Sequence, residues 1–317
     1  MDMFYFIFQQ TLYIAIPLLI VALGGLFSER SGVVNIALEG IMVFGSFFGI
    51  VTMFMLQGSM SGQLLFIVAM LVAALSGVLL AVVHAFASIN MNADQTISGT
   101  AINMFAPAFT VFVARLFNNV KEIPFKNTFL IRKIPGLSDI PVIGRMFFTN
   151  VYISTLVGII LLIATIYILN KTRFGLRLKA AGENPHALDA AGVNVKKIRW
   201  TAVLVSGALA GLGGLLITVP VSTSFSGTVN GYGFLAVAIL IFGQWKPLNV
   251  FLSSLFFAVA LTISNTYSAI PVLLNSGIPE QFYKMIPYVA TLVVLIFTSK
   301  KSAAPKALGD PYDQGKR

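Results

Sequence analysis

GLFSERSGVVNIALEGIM, residues 25–42, sets the problem this chain poses. A long apolar run reaches the adjacent Glu29 and Arg30, then resumes with Asn35 and Glu39 inside the next apolar stretch. Polar atoms in so apolar a segment must lie outside lipid, find a partner, or line a pathway. Asn35 and Glu39 are four apart, hence on one face of a helix.

Composition fixes the class. The chain has 317 residues, 57% of them hydrophobic and only 10% charged. A soluble domain of this size carries far more charge. Runs of the length that crosses a bilayer recur at roughly 8–27, 33–56, 63–89, 97–117, 150–169, 200–219, 232–245, 248–270 and 280–298. The expected fold is therefore all-α: a polytopic membrane protein of roughly eight to ten transmembrane helices, some glycine-rich or interrupted. Residues 1–298 form one membrane domain, and 299–317 a basic tail. The N-terminal MDMFYFIFQQTLYIAIPLL has no basic residue before its apolar run, which argues for a retained first helix over a cleaved signal.

The net charge of +10 would suggest nucleic acid in a soluble protein. In a membrane protein, loop bases instead set topology. Placing 28–32, 90–96, 170–199, 246–247 and the tail on one side collects 14 of the 21 Lys and Arg residues. That side is predicted to be cytoplasmic, with nine spans putting the N-terminus outside. Cysteine is absent, so disulfide and thiol chemistry are excluded.

Two spans look unusual. Residues 232–245 are short for a full crossing and begin just after Gly231, while 33–56 carry Gly40, Gly45 and Gly49 just past Gly32. Interrupted segments of this kind point to a substrate route at the midplane, or to close helix packing through small residues. A polar stripe at Thr96, Thr100, Asn103 and Pro107 follows one helical face and supports a lined route. Its hydroxyls and amide suit an uncharged polar solute, or serve to glue helices together. Thr262, Asn265 and Thr266 form a weaker stripe. His84 reads as a solvated interfacial residue, and Glu29–Arg30 as a boundary pair where charge is cheap. Glu39 has two readings, pairing with donors of a neighbouring helix or lining the route.

The loop 170–199 contains NPHALDAAG with complete helix punctuation. Asn184 suits an N-cap, Pro185 the first helical position, and Gly192 the left-handed residue after the end. The helix, about 185–191, is too short to be stable without something to pack on. Ala187, Ala190 and Ala191, beside Leu188, permit close approach.

This loop resembles the coupling region of ABC-importer permeases of the ribose, branched-chain amino acid and nucleoside type. Gly182, Asn184 and the Ala190–Ala191–Gly192–Val193 cluster match a similar run in that family. ERSGVVNIALEGIM (29–42), NADQTISGTAIN (92–103) and GYGFLAVAILIFGQWKP (231–247) resemble its other signatures in the same order, and the first looks most like the nucleoside-uptake permeases. One departure is Leu248-Asn249 after Pro247, where relatives often have a glycine. The resemblance implies a multi-pass protein of the bacterial plasma membrane with no enzymatic activity of its own. It implies a separate ABC ATP-binding subunit that binds the ATP, an extracytoplasmic solute-binding lipoprotein, and a second permease subunit, a different chain as in nucleoside systems or a second copy as in ribose-type ones. Gly182, Asn184, Pro185, Ala187, Leu188, Ala190, Ala191 and Gly192 would form the ATPase-coupling element. Asn35, Glu39, Thr96, Thr100 and Asn103 are the candidate translocation pathway.

Other classes fit less well. An ion-coupled secondary transporter normally needs several intramembrane carboxylates or histidines, and this chain offers essentially Glu39. An intramembrane enzyme lacks its parts: two histidines, no cysteine, no H-E-x-x-H and no G-x-S-x-G. No G-x-x-x-x-G-K-[ST] is present to hold ATP. A ribose, other sugar or branched-chain amino acid permease stays open as the alternative to a nucleoside permease.

Overall fold

The fold was obtained as a computed structural model, which describes residues 2–60, 62–270, 273, 278–298, 303–313 and 315. Its helices are α1 (Asp2–Arg30), α2 (Leu38–Leu56), α3 (Gly62–Ala85, prolonged by a π turn Phe86–Asn90) and α4 (Gln95–Asn118). There follow α5 (Ile143–Phe147), α6 (Ile153–Lys171), α7 (Arg173–Glu183), α8 (Pro185–Ala190), α9 (Val195–Val221), α10 (Tyr232–Phe242), α11 (Pro247–Thr266) and α12 (Glu280–Thr298). Among the described residues, seven of these are long and apolar enough to cross a membrane: α1, α2, α3, α4, α6, α9 and α11. The strands β1 (Ile123–Pro124), β2 (Ile131–Lys133), β3 (Thr149–Val151) and β4 (Ser224–Phe225) form only two antiparallel clips, β1 on β4 and β2 on β3.

The centre of the bundle is the pair α1 and α9. Arg199 at the start of α9 donates to the carbonyl of Ser31 at the end of α1, so the two run antiparallel. Helices α2 and α3 pack on α9, and α10 and α11 pack on α1. Exchanging α1, α2, α3 and α4 with α9, α10, α11 and α12 maps one set of neighbours onto the other. With α1 and α9 opposed, this is an inverted repeat, the plan on which many transporters place discontinuous helices at the bilayer midplane. The sequence carries its trace: SGVVN (31–35) precedes α2 and SGTVN (226–230) precedes α10, with Gly32 and Gly227 both at positive φ, +92° and +85°.

The segment read as one span over 33–56 is broken at its start. Gly32 donates to Glu29 O and Val33 to Ser28 O, a Schellman closure that ends α1 and leaves 31–37 non-helical until α2 begins. Helix α10 has 11 residues. At 1.5 Å per residue that is about 16 Å, roughly half the hydrocarbon thickness.

Packing explains most of the glycines. Gly77 lies on Gly207 and Gly211, Gly211 also touches Gly45, and Gly214 abuts the Met42 carbonyl. A Cβ at any of these would run into backbone, so α2, α3 and α9 touch main chain to main chain. Helix α1 is apolar all round and buried along most of its length, as a central helix should be. By contrast α6 turns Leu156, Ile160, Ile163 and Tyr167 outward. The connection 118–149 lies against one end of the bundle, where Phe129 is buried and stacks on Phe66.

Candidate functional site

At the end of the bundle opposite the β clips, α7 and α8 form a compact ledge. Asn184 Oδ1 accepts from the Ala187 amide at 3.0 Å and Pro185 takes the first turn. Gly192, at φ +77°, closes the helix with Gly192 N donating to Asp189 O and Val193 N to Leu188 O. Pro185 and Leu188 are buried, holding so short a helix in place. Ala187, Ala190, Ala191 and Gly192 are exposed and free to meet another surface, as His186 is on the side away from the strap. Gly182 is buried beneath, where a Cβ would strike the Arg30 carbonyl.

A feature absent from the sequence reading binds this ledge to the bundle. Residues 303–313, expected as part of a basic tail, run back across the same end as a strap. Ala307 N donates to Gly182 O at 2.8 Å and Gly309 N to Gly32 O at 3.0 Å. Ala303 N donates to Gln244 Oε1, and Tyr312 packs its ring on His186. The strap therefore touches the ledge, the α1–α2 break and the α10–α11 turn at once.

Arg199 is the hub between them. Its side chain is 1% exposed, donates Nε to Ser31 O at 3.1 Å and Nη1 to Asp310 O at 3.0 Å. Buried Nη2 has no hydrogen-bond partner among the described residues. One guanidinium thus fixes the first turn of α9 to the break and to the strap.

The break is held on every side. Val34 N donates to Gln95 Oε1 at 2.7 Å, and Val34 O contacts His84 Nε2 at 3.0 Å. His84 is thus no solvated interfacial residue: it is fully buried and bridges Val34 to Ser98 Oγ. Its apolar neighbours in sequence gave no hint that a carbonyl of the broken segment would need a donor there. Asn35 is buried and donates to Ser206 Oγ on α9 at 2.8 Å, with its Oδ1 unpartnered among the described residues. Asn103 accepts from Gly40 N at 2.7 Å and donates to Ile36 O at 2.9 Å, which stitches α4 to the start of α2.

Glu39, in the first turn of α2, receives the amides of Gly231 at 2.9 Å and Gly233 at 2.6 Å. A carboxylate at a helix N-terminus is electrostatically matched, and this one stands in for the side-chain cap that α10 lacks. The two discontinuous helices of the inverted repeat therefore meet N-terminus to N-terminus through one side chain. Thr96 and Thr100 behave differently. Both are exposed on the free face of α4, and the Thr100 hydroxyl donates only to Thr96 O. In the weaker stripe, Thr262 is buried on α11, and the Thr266 hydroxyl donates to Thr262 O.

Glu29 and Arg30 also differ from their reading as a cheap boundary pair. Glu29 is 4% exposed and accepts from Trp245 Nε1 at 2.6 Å. Arg30 donates Nε and Nη2 to the Trp245 carbonyl at 3.0 and 2.8 Å. Together they grip the turn between α10 and α11, where Gln244 and Trp245 both sit at positive φ. The pair lies at a helix end, as read, but a buried indole claims the carboxylate.

Comparison with known proteins follows the same outline. The family described as branched-chain amino acid transport system, permease component, matches residues 7–295. The chain is 41% identical over 313 residues to the guanosine ABC transporter permease protein NupQ of Bacillus subtilis, covering 98% of this chain and 97% of that one. It is 41% identical over 301 residues to the nucleoside ABC transporter permease protein NupC of Lactococcus lactis subsp. cremoris, covering 95% and 94%. The nucleoside ABC transporter permease protein NupB of the same organism is 30% identical over 152 residues, 47% of this chain and 39% of that protein.

Proposed function

Because this chain belongs to the family of branched-chain amino acid transport system permease components, we propose that it forms half of the translocation pathway of a nucleoside importer. It is a transport component, not an enzyme, and it resides in a membrane. The observation that carries the nucleoside reading is near-end-to-end identity of 41% to permeases named for guanosine and for nucleosides. Residues 170–199 and the C-terminal strap face the cytoplasm, consistent with the bias of basic residues. ATP is bound and hydrolysed by a separate ATP-binding subunit docked on α8, and an extracytoplasmic lipoprotein delivers the solute. The second permease is a different chain, as the pair NupB and NupC in one organism suggests.

In this reading the exposed small residues of α8 and its C-cap, Ala187, Ala190 and Ala191, enter the ATPase. Its power stroke tilts the ledge, and Arg199 and the strap carry that motion to the break at 31–37. Asn35, Glu39 and Asn103 hold the two discontinuous helices, so that displacing the break displaces α10. Thr96 and Thr100, on the open face of α4, contact the solute. Two arrangements of these elements, exchanged by ATP binding in the partner, suffice for alternating access.

The test is uptake by the complete complex reconstituted in proteoliposomes. Internal ATP drives entry of labelled guanosine or uridine, whereas leucine and ribose are left outside. Leucine uptake, or nucleoside uptake driven by an ion gradient without ATP, overturns the assignment. Sidedness is tested in intact cells with an impermeant thiol reagent, which labels Asp139→Cys directly and Lys196→Cys only after the membrane is opened. Labelling in the reverse order overturns the orientation.

A further inference from the structure

Away from the broken helices, α1, α6, α7 and the α10–α11 turn enclose a cavity of about 390 Å³. Three cationic side chains line it, Arg30, Lys179 and Lys246, alongside apolar Ile166, Leu169 and Leu248. Arg30 spends Nε and Nη2 on the Trp245 carbonyl, leaving Nη1 without a partner among the described residues. Lys179 bonds only the neutral Asn170 Oδ1 at 3.0 Å, and Lys246 is exposed. The carboxylates nearby are Glu183, which acts on Arg30 from the end of α7, and Glu29, which is committed to Trp245 Nε1.

A second observation points to the same ligand. Helix α11 starts in this cavity with Pro247 in its first turn and Lys246 at the cap, and no side chain caps it. The amides of Leu248 and Asn249 therefore have no acceptor among the described residues, while both residues line the cavity. Free amides at a helix N-terminus beside three cations make an anion site. Burial and the nearby Arg30 both lower the Lys179 pKa, as expected of one cation set beside another.

The position identifies the anion. Helices α1 and α6 end at this level and α11 begins there, so the cavity sits where the hydrocarbon meets the headgroups. From it, the outward faces of α6 (Ile163, Ile160, Leu156) and α11 (Leu248, Leu252, Phe256) run into the membrane as exposed apolar tracks. We propose that this cavity binds the phosphate of an anionic glycerophospholipid, whose acyl chains lie along α6 and α11. A soluble phosphate could use the cations but not the apolar tracks. Basic pockets between spans at the membrane boundary suit lipid headgroups. The site is independent of which solute the transporter carries.

Native mass spectrometry of the intact complex, delipidated and titrated with dioleoyl phosphatidylglycerol, tests this. The wild type is expected to retain one tightly held phosphatidylglycerol that the Lys179→Gln/Lys246→Gln variant binds about 30-fold more weakly. Lys179→Arg/Lys246→Arg should restore it, dioleoyl phosphatidylcholine should not substitute for it, and millimolar inorganic phosphate should not displace it. Should the double variant fail to assemble, Lys246→Gln alone, at an exposed position, gives the same reading with a smaller loss. Equal retention by wild type and Gln variants, equal binding of phosphatidylcholine, or displacement by phosphate overturns the proposal. So does a wild-type complex that holds no such lipid.

Discussion

Residues 31–35 and 226–230, SGVVN and SGTVN, occupy equivalent places in the two inverted halves, yet they are held very differently. In the first, Ser31, Gly32, Val33 and Asn35 are buried, and partners arrive from α1, α3, α4, α9 and the C-terminal strap. In the second, Ser226, Thr228 and Asn230 are exposed, and the hydrogen bond within the segment is local, Asn230 N to Thr228 Oγ1. Among the described residues, its long-range hydrogen bond lies a residue further on, where Gly231 meets Glu39. The same local motif is thus a clamped joint on the ledge side and a lightly tethered one on the other. A transporter driven from one end needs this inequality: the driven joint must transmit displacement, and the far joint must be able to yield to it.

The inequality can be broken most forcefully at the paired glycines. Gly32→Ala places a methyl group 2.7 Å from Arg199 Nη2 and 3.0 Å from Ala307 O, in a left-handed conformation. Backbone strain together with overpacking should destabilise the protein by about 3 kcal/mol. Gly227→Ala places a methyl group 2.5 Å from Val111 Cγ2, a stiff β-branched neighbour, but meets side chains rather than backbone, so strain plus this one overlap should cost about 2 kcal/mol, less than at Gly32. Thermal melts of the detergent-purified complex rank the two. Equal losses would mean the joints are equally held.

Glu39 is the contact through which the clamped half reaches the other. Glu39→Ala leaves the Gly231 and Gly233 amides without an acceptor, a loss of about 2–3 kcal/mol. Glu39→Gln keeps an acceptor for one amide and should fall between the alanine variant and wild type. Uptake should fall in the same order in proteoliposomes. A glutamine variant worse than alanine would assign Glu39 a role in the route rather than a cap.

The smallest effects compare the two asparagines. Asn35→Ala removes the bond to Ser206 and should cost about 1 kcal/mol. Asn230→Gly retains the positive φ of 55° at an exposed position and should change stability by no more than about 0.5 kcal/mol. Melting curves of the two variants, run side by side, measure the difference. A larger loss at Asn230 would reverse the comparison.

Much of this architecture was legible in the residues. The brevity of α10 could be counted, and the caps of α8 at Asn184, Pro185 and Gly192 are local signals that act where they stand. What escaped depends on contacts distant in sequence. In KKIRW, Arg199 looks like one more loop base, and nothing local says that it enters the core to meet two carbonyls. The strap was unreadable because it attaches mainly through the backbone amides of Ala307 and Gly309, which leave no side-chain signature. The burial of Glu29 depends on Trp245, far along the chain. One missed signal was available: comparing the stretches before the two unusual spans reveals the shared S-G-x-V-N, and with it the inverted repeat.

The central claim is that motion of the α8 ledge reaches the broken helices through Arg199. Uptake per ATP hydrolysed, measured in proteoliposomes holding the whole complex with Arg199→Gln, tests it most directly. The ATPase should remain bound and active while nucleoside entry per ATP falls at least about tenfold, roughly 1.4 kcal/mol of lost coupling. Arg199→Lys, able to reach one of the two carbonyls, should fall between. An Arg199→Gln complex that imports as many nucleosides per ATP as the wild type would contradict the account.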